Sequence, residues 1–185
     1  GLATSREAFG EEEHLTIHYT NQLGEILALQ DRLDEAEPLL EKALALRQRI
    51  YGDDHKWTTE SLLSLSDLRR RQGRYPEAEA LARRAVANNE RVKTRTVGWA
   101  RRTLIAALLA QDKGKEALPI WESMMEDLRR AADDPQADVK AMNEYAWRLL
   151  TTQPEDWRDP LKALAVAQRA VGPPWGRAGG ERGGR

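Results

Sequence analysis

Hydrophobic residues recur along this chain at the spacing of one face of an α-helix. The first such face contains Tyr19, Leu23, Ile26 and Leu27, which follow the i, i+4, i+7, i+8 pattern within residues 15–29. The core stripe of a second helix, over residues 33–49, consists of Leu39, Leu40, Leu44 and Leu46. The pattern therefore predicts two consecutive amphipathic helices near the start of the chain.

The second of these helices is repeated further along the sequence. The frame of residues 30–43 recurs without a gap at residues 72–85, an offset of 42. A weaker third copy starts at Gln111, a further 39 residues on, and a fourth covers residues 161–167. Self-similarity at a period of about 40 is typical of stacked helix pairs that share a continuous core.

We therefore predict an all-α fold, a right-handed superhelical solenoid of helix-turn-helix repeats. The expected division is the end of a preceding repeat at 1–9, repeats at 10–52, 53–94, 95–133 and 134–171 (the last divergent), and a disordered Gly/Arg-rich tail at 172–185. Beyond the first pair, helices are predicted over 58–71, from Pro76 onward, and over 97–111, 115–131, 139–150 and 160–171.

Small residues and prolines keep their positions within the repeat. Ala36 and Ala43 mark where the two helices of a pair are expected to cross, and Gly24 is expected to let the second helix approach closely. Pro38 and Pro119 share one register near a helix start, where few backbone donors have partners. We interpret these prolines as part of the pattern, so they are not expected to break the helices.

Helix ends are predicted from glycine and aspartate. Phe9-Gly10 parallels Tyr51-Gly52, because each joins an aromatic residue to a glycine that can cap a helix C-terminus, followed by an acidic link. The parallel predicts a helix end at Phe9 and leads us to expect that the sequence is part of a longer chain. Asp34 and Asp159 are predicted N-caps.

Composition narrows the classes of function. The net charge is -1, so no overall field draws the chain to nucleic acid or to an anionic membrane. The absence of cysteine excludes disulfides and fits a reducing compartment, so we expect a cytoplasmic protein. No apolar run approaches the ~20 residues of a membrane helix. Neither a nucleic-acid nor a membrane partner is expected.

The repeat resembles the tetratricopeptide repeat family, whose pattern alternates large, small and aromatic positions. Repeat one matches it with Leu23, Gly24, Leu27, Asp31, Leu33, Ala36, Leu40 and Ala43; repeat two with Leu65, Ser66, Arg69, Gly73, Tyr75, Ala78, Ala82 and Ala85. Asp31, Ser66 and Arg69 depart from the family pattern, and Gly114 replaces the aromatic residue in repeat three. The 42-residue pitch is similar to kinesin-light-chain repeats.

The resemblance implies a protein-interaction scaffold, in which the first helices of the pairs line a concave groove for a peptide. The implied groove residues are His18, Asn21, Gln22, Glu25, Glu60, Leu63, Ser64, Asp67, Trp99, Arg102, Thr103, Lys140, Asn143 and Trp147. Asparagine can donate to and accept from a peptide backbone, and tryptophan offers a large contact area. We expect a protein or peptide ligand, no cofactor, no metal and no catalytic residue.

Two other functions stay open, and two kinds of binding site are disfavoured. The region near residues 143–160 resembles the last repeats of bacterial signalling proteins, so the chain is alternatively the regulatory part of a larger enzyme, such as a Ser/Thr kinase. A second alternative is a structural array that associates with itself. A clamp for an acidic C-terminus is disfavoured, because Glu25, Glu60 and Asp67 would repel a carboxylate. His14 and His18 lack a third ligand at motif spacing for zinc.

Overall fold

A computed structural model of the chain describes residues 2–92, 97–134, 138–152 and 154–171, with the backbone alone at 2–13, 92 and 171. The helices are α1 Leu2–Leu29, α2 Leu33–Tyr51, α3 Lys56–Arg71, α4 Tyr75–Val92, α5 Val97–Leu109, α6 Gly114–Asp133, α7 Val139–Thr151 and α8 Pro160–Val171, with a short 3₁₀ helix at Glu155–Trp157. These described residues contain no strand, which confirms the all-α prediction.

The chain forms two compact units, Gly1–Trp121 and Glu122–Arg185. In the first unit, consecutive helices from α1 to α5 pack against one another, and α3 also contacts both α1 and α5. In the second unit, α7 packs against α8. Arg169 in α8 donates to Asp133 at the end of α6, at 2.8 Å. The first unit therefore places the first helix of each pair beside the first helix of the next.

Small residues set the distance between the two helices of a pair, as predicted. Ala36 and Ala43 of α2 are fully buried. A Cβ added to Gly24 would lie only 2.8 Å from two side-chain carbons of Leu40, so any larger residue would push α2 away. Pro38 lies inside α2, which continues to Tyr51. Glycine and alanine are therefore needed at this crossing for steric reasons.

One tight turn joins the helices of a pair in each of three repeats. Its central residue has positive φ and is Asp31 (63°), Gly73 (74°) or Asp112 (58°), at offsets of 42 and 39 residues. The next amide closes the turn by donating to the carbonyl five residues back, as from Arg32 to Leu27 at 2.9 Å. Aspartate tolerates this left-handed conformation better than most residues, which explains the departure from glycine at position 31.

Two predicted helix ends are wrong. Helix α1 runs through Gly10 to Leu29, whereas Gly52, its supposed counterpart, ends α2 with φ of 83°. Glutamate is a good helix former and aspartate is not. Helix α1 therefore continues through Glu11–Glu13, but α2 does not continue through Asp53-Asp54. Helix α2 starts at Leu33, so Asp34 lies in its first turn and is not the N-cap. Asp159 does cap α8 by accepting from the Lys162 amide at 2.9 Å.

The predicted core face of α1 is also wrong for three of its four residues. Tyr19, Leu23 and Ile26 are at least half exposed. Leu27 is buried as predicted, and Ile17 and Asn21 are buried on α1 in addition. The equivalent residues of α3, 42 positions later, are Ser61, Leu65 and Leu68, and all are buried. Because α2 covers that face of α3, burial at these positions depends on a neighbouring pair.

Recurring polar residues of the repeat also meet between pairs. Gln72 donates to Glu37 at 2.7 Å, and Gln111 donates in the same way to Glu79 at 2.8 Å. The hydrogen bond from Lys113 is the main reason why the pKa of Glu79 falls to about 2. The glutamine and glutamate of the repeated frame therefore connect each pair to the next.

Two predictions are not tested by the residues that the structure describes. The expected disorder of the tail at 172–185 lies outside the described residues, and the division of the chain into repeats with the stated boundaries stays a prediction. Among the described residues, no helix is both long enough and apolar enough to cross a membrane.

A matched pair of substitutions tests the role of neighbouring pairs. Leu68→Ala should lower the free energy of unfolding by about 2–5 kcal/mol, because it leaves a cavity under α2. Ile26→Ala, at the equivalent position of α1, should change it by about 0.5 kcal/mol or less. Urea unfolding at low protein concentration measures both, and a comparable loss for the two variants would show that the face of α1 is covered.

Candidate functional site

A cleft of about 210 Å³ lies where α1, α3 and α5 meet in the first unit. Its lining residues are Glu25, Ala28, Leu29, Ser64, Asp67, Arg71 and Trp99. Four of them, Glu25, Ser64, Asp67 and Trp99, are among the residues predicted for the groove. The cleft therefore brings together residues from three successive repeats.

The register of the repeat explains why these residues share a face. Asp67 stands 42 positions after Glu25, and Ser64 precedes it by three, so both lie on the same side of α3. Trp99 lies in the first turn of α5, partly buried, and packs against the hydrophobic core. The first helices of adjacent pairs are neighbours, which places these side chains around one cleft.

A chain of hydrogen bonds holds the carboxylate of Glu25 on the cleft wall. Asn21 donates to Oε1 of Glu25 at 2.7 Å, and the Ser64 hydroxyl donates to the same oxygen. Ser61 in turn donates to the Asn21 side-chain oxygen at 2.8 Å. Since Asn21 and Ser64 are buried, Glu25 is oriented by neutral donors on two helices.

Arg47 extends this hydrogen-bond network through Ser61. The sequence analysis did not predict its role. Its side chain is 1% exposed, and Nη1 donates to Ser61 Oγ at 3.0 Å and to the Trp57 carbonyl at 2.7 Å. Burial lowers the pKa of the guanidinium. The spacing of Arg47 could have indicated its burial, because Arg47 continues the i, i+4, i+7, i+11 series of buried positions that begins at Ala36.

Asp67 forms a charged group with two arginines of its own helix. Its two carboxylate oxygens accept from Arg70 at 2.6 Å and from Arg71 at 2.9 Å. Burial acts to raise the pKa of Asp67, but the hydrogen bonds from both arginines outweigh it and leave the pKa lowered. Arg71 also donates weakly to the Ala28 carbonyl. Asp67 therefore remains ionised near neutral pH.

Not every predicted groove residue faces the cleft. Asn21 is 4% exposed, and Leu63 is fully buried, so neither offers its side chain to a ligand. Glu60 is only partly exposed and lies 3.8 Å from the Arg47 guanidinium. Gln22 is exposed on α1, whereas Arg102 and Thr103 are partly buried on α5, and none of the three lines the cleft.

The three predicted residues of the fourth repeat share another surface, in the second unit. Lys140, Asn143 and Trp147 line an open depression of about 710 Å³ on α7, together with Val139, Glu144, Ala146 and Leu150. The Trp147 side chain is 60% exposed. This α7 face combines apolar and polar groups, so it is a second candidate surface.

All three histidines of the chain lie in one aromatic cluster, with Tyr51 and Trp57. The ring centroids of His14 and Trp57 are 3.8 Å apart, and those of His55 and Trp57 4.8 Å. His18, a predicted groove residue, stacks on His14 at 6.4 Å. No group of acidic, histidine or cysteine side chains suited to a metal occurs within the described ranges. The cluster instead joins α1, α2 and α3.

Comparison with known proteins identifies the repeat. Residues 13–91 match the sequence model of the tetratricopeptide repeat family. Residues 13–91 are tetratricopeptide repeats. This span includes Glu25, Ser64 and Asp67 of the cleft, whereas Trp99 follows it. A search of curated protein sequences gave no match.

Solved structures confirm the helical-repeat fold. A candidate kinesin light chain from Podosopora anserina, with nearly identical TPR-like repeats, matches with a TM-score of 0.60 at 16% identity, over 84% of this chain and 73–74% of that chain in two structures. The second structure, a Gln-to-Met variant, gives a TM-score of 0.59 at 17% identity. The predicted likeness to kinesin-light-chain repeats is thus confirmed at the level of fold.

The histidine cluster should make stability depend on pH. Burial is the main reason why the pKa values of His14 and His55 lie below the usual 6.5. The unfolded chain therefore binds more protons in this range, so the free energy of unfolding is highest above about pH 6.5 and falls as the pH drops towards the folded-state pKa values. Urea unfolding between about pH 7.5 and about pH 5.5 measures the slope.

A double variant provides the control for this pH dependence. His14→Gln with His55→Asn removes both titrating rings, and asparagine can still cap α3 in place of His55. The slope should become much shallower in this variant. An unchanged slope would assign the pH dependence to other groups.

Proposed function

We propose that the chain is a non-catalytic protein-interaction module that binds an extended peptide along α1, α3 and α5, with the cleft as its main subsite. The observation that carries the proposal is that one cleft collects a held carboxylate, two apolar side chains and a tryptophan from three successive repeats. Tetratricopeptide repeats generally mediate protein–protein interaction, and this arrangement is what such binding requires.

The cleft is organised before any ligand arrives. Glu25 is fixed by Asn21 and Ser64, and Trp99 is packed against the core, so little side-chain freedom remains to be lost on binding. Tryptophan in a partly buried position is the type of residue that dominates binding energy at interfaces. Ala28 and Leu29 add apolar area that a peptide side chain would cover.

Peptide display against the full chain tests this proposal. Trp99→Ala should weaken binding of the selected peptides by about 30-fold or more, the loss expected for a hot-spot residue. Leu161→Ala, which removes an exposed leucine from α8, is the control and should leave binding unchanged. Trp147→Ala tests the α7 face; a loss confined to that variant would move the site to α7 and refute the cleft.

Self-association is a second candidate function, and the exposed apolar face of α1 favours it. Tyr19, Leu23 and Ile26 occupy positions that another helix covers in α3, and an apolar stripe of this kind often marks an interface. Regulation of a larger signalling enzyme and a cytoplasmic location stay predictions.

Sedimentation over a range of protein concentrations tests self-association. If the chain associates through α1, its mass should rise with concentration, and Leu23→Glu with Ile26→Lys should abolish the rise because charges cannot be buried there. A monomer at every concentration would refute this second candidate. A rise that persists in the double variant would place the contact elsewhere.

A further inference from the structure

We infer that the cleft takes a cationic side chain, the guanidinium of an arginine or the ammonium of a lysine in the bound peptide. This inference rests on the proposed peptide-binding function and specifies its ligand. It follows from the charge of Glu25, the indole of Trp99 and the size of the cleft.

Glu25 is a carboxylate whose hydrogen-bond donors are neutral, and the basic side chain that acts on its charge, the buried Arg47, also lies 3.8 Å from Glu60. Asn21 and Ser64 both donate to Oε1, and both are neutral. Among the described residues, no basic side chain lies within ion-pair distance of Glu25. A partly desolvated carboxylate with one oxygen free of protein donors binds a guanidinium or ammonium group through charge-assisted hydrogen bonds.

The described residues that line the cleft carry a net negative charge, because Glu25 and Asp67 are carboxylates and Arg71 is the one basic residue in the lining. Asp67 is paired with Arg71, which lines the cleft, and with Arg70, which does not. Arg71 also contacts the Ala28 carbonyl, so its donors are directed within the protein. Since Arg71 is paired with Asp67, Glu25 is the lining carboxylate that has no ion pair among the described residues, and it repels an acidic ligand side chain.

Trp99 adds a surface that suits the same group. Its partly buried indole belongs to the cleft wall and is held by packing against the core. A cation is attracted to the face of an aromatic ring, and tryptophan is the most effective ring for this contact. A carboxylate and an indole in one cleft are thus both complementary to a guanidinium or an ammonium.

The size of the cleft favours one side chain over a free small molecule. Its volume of about 210 Å³ is below the range of about 300–1,000 Å³ that is usual for small-molecule sites. Ala28 and Leu29 supply apolar contact for the methylene groups of lysine or arginine, which are apolar up to the charged end.

The test uses four pools of fluorescein-labelled peptides, random except for a fixed central Arg, Lys, Gln or Glu, with binding measured by fluorescence anisotropy. The Arg and Lys pools should bind at least about 10-fold more tightly than the Gln pool, and the Glu pool more weakly than the Gln pool. The preference for Arg and Lys should decrease as salt is added, since the ion pair is partly solvated.

Glu25→Gln separates the charge from the shape of the cleft. Glutamine keeps an acceptor oxygen for Ser64, so the variant should fold and should lose the preference for Arg and Lys over Gln. Glu90→Gln makes the same change on the exposed side of α4 and should keep the preference. Glu25→Asp retains the charge and should retain part of the preference.

The outcomes distinguish this inference from the proposed function. Equal binding of the Arg and Gln pools, tighter binding of the Glu pool, or a preference that survives in Glu25→Gln would overturn the cationic ligand while leaving peptide binding in place. Binding of none of the pools by a protein with a cooperative thermal melt would overturn both.

Discussion

The packing of α3 between two helix pairs is the constraint on which the rest of the first unit depends. Its hydroxyl-bearing residues make this possible, because they are small and their polar atoms find partners within the protein. Thr58 donates to the Gly52 carbonyl and Ser66 to the Ala78 carbonyl, both at 2.7 Å. A buried hydroxyl without a partner would be costly, so these bonds allow neighbours to approach α3 closely.

The proposed binding cleft is a direct consequence of this packing. Ser64 reaches Glu25 only because α1 and α3 lie side by side, and Arg47 of α2 holds Ser61 in the same polar chain. The residues that orient the cleft are therefore also residues that connect the repeats. A change at Asn21 would disturb both, so cleft residues outside this hydrogen-bond network, such as the partly buried Trp99, are better probes of binding.

Much of the cleft could be predicted, because the resemblance to tetratricopeptide repeats implies which positions face the groove and the repeat length maps them onto this sequence. Glu25, Ser64, Asp67 and Trp99 were found in this way. The register did not predict that Asn21 would be buried as a bridge, or that Arg69, a departure from the family pattern, would pair with Glu37, Glu41 and Glu77. These roles depend on side chains from other helices, such as Glu37 and Glu41, which lie 32 and 28 residues from Arg69, so the local pattern does not encode them.

The sequence by itself determined the succession of helix pairs and the alanine crossings, because these follow from propensity, residue size and period. Only the tertiary structure decided which apolar faces are covered. Tyr19, Leu23 and Ile26 have the same helical spacing as buried residues, yet they are exposed because no described helix packs on that side of α1. Burial is a property of the neighbours of a helix, and periodicity reports only that a helix has an apolar side.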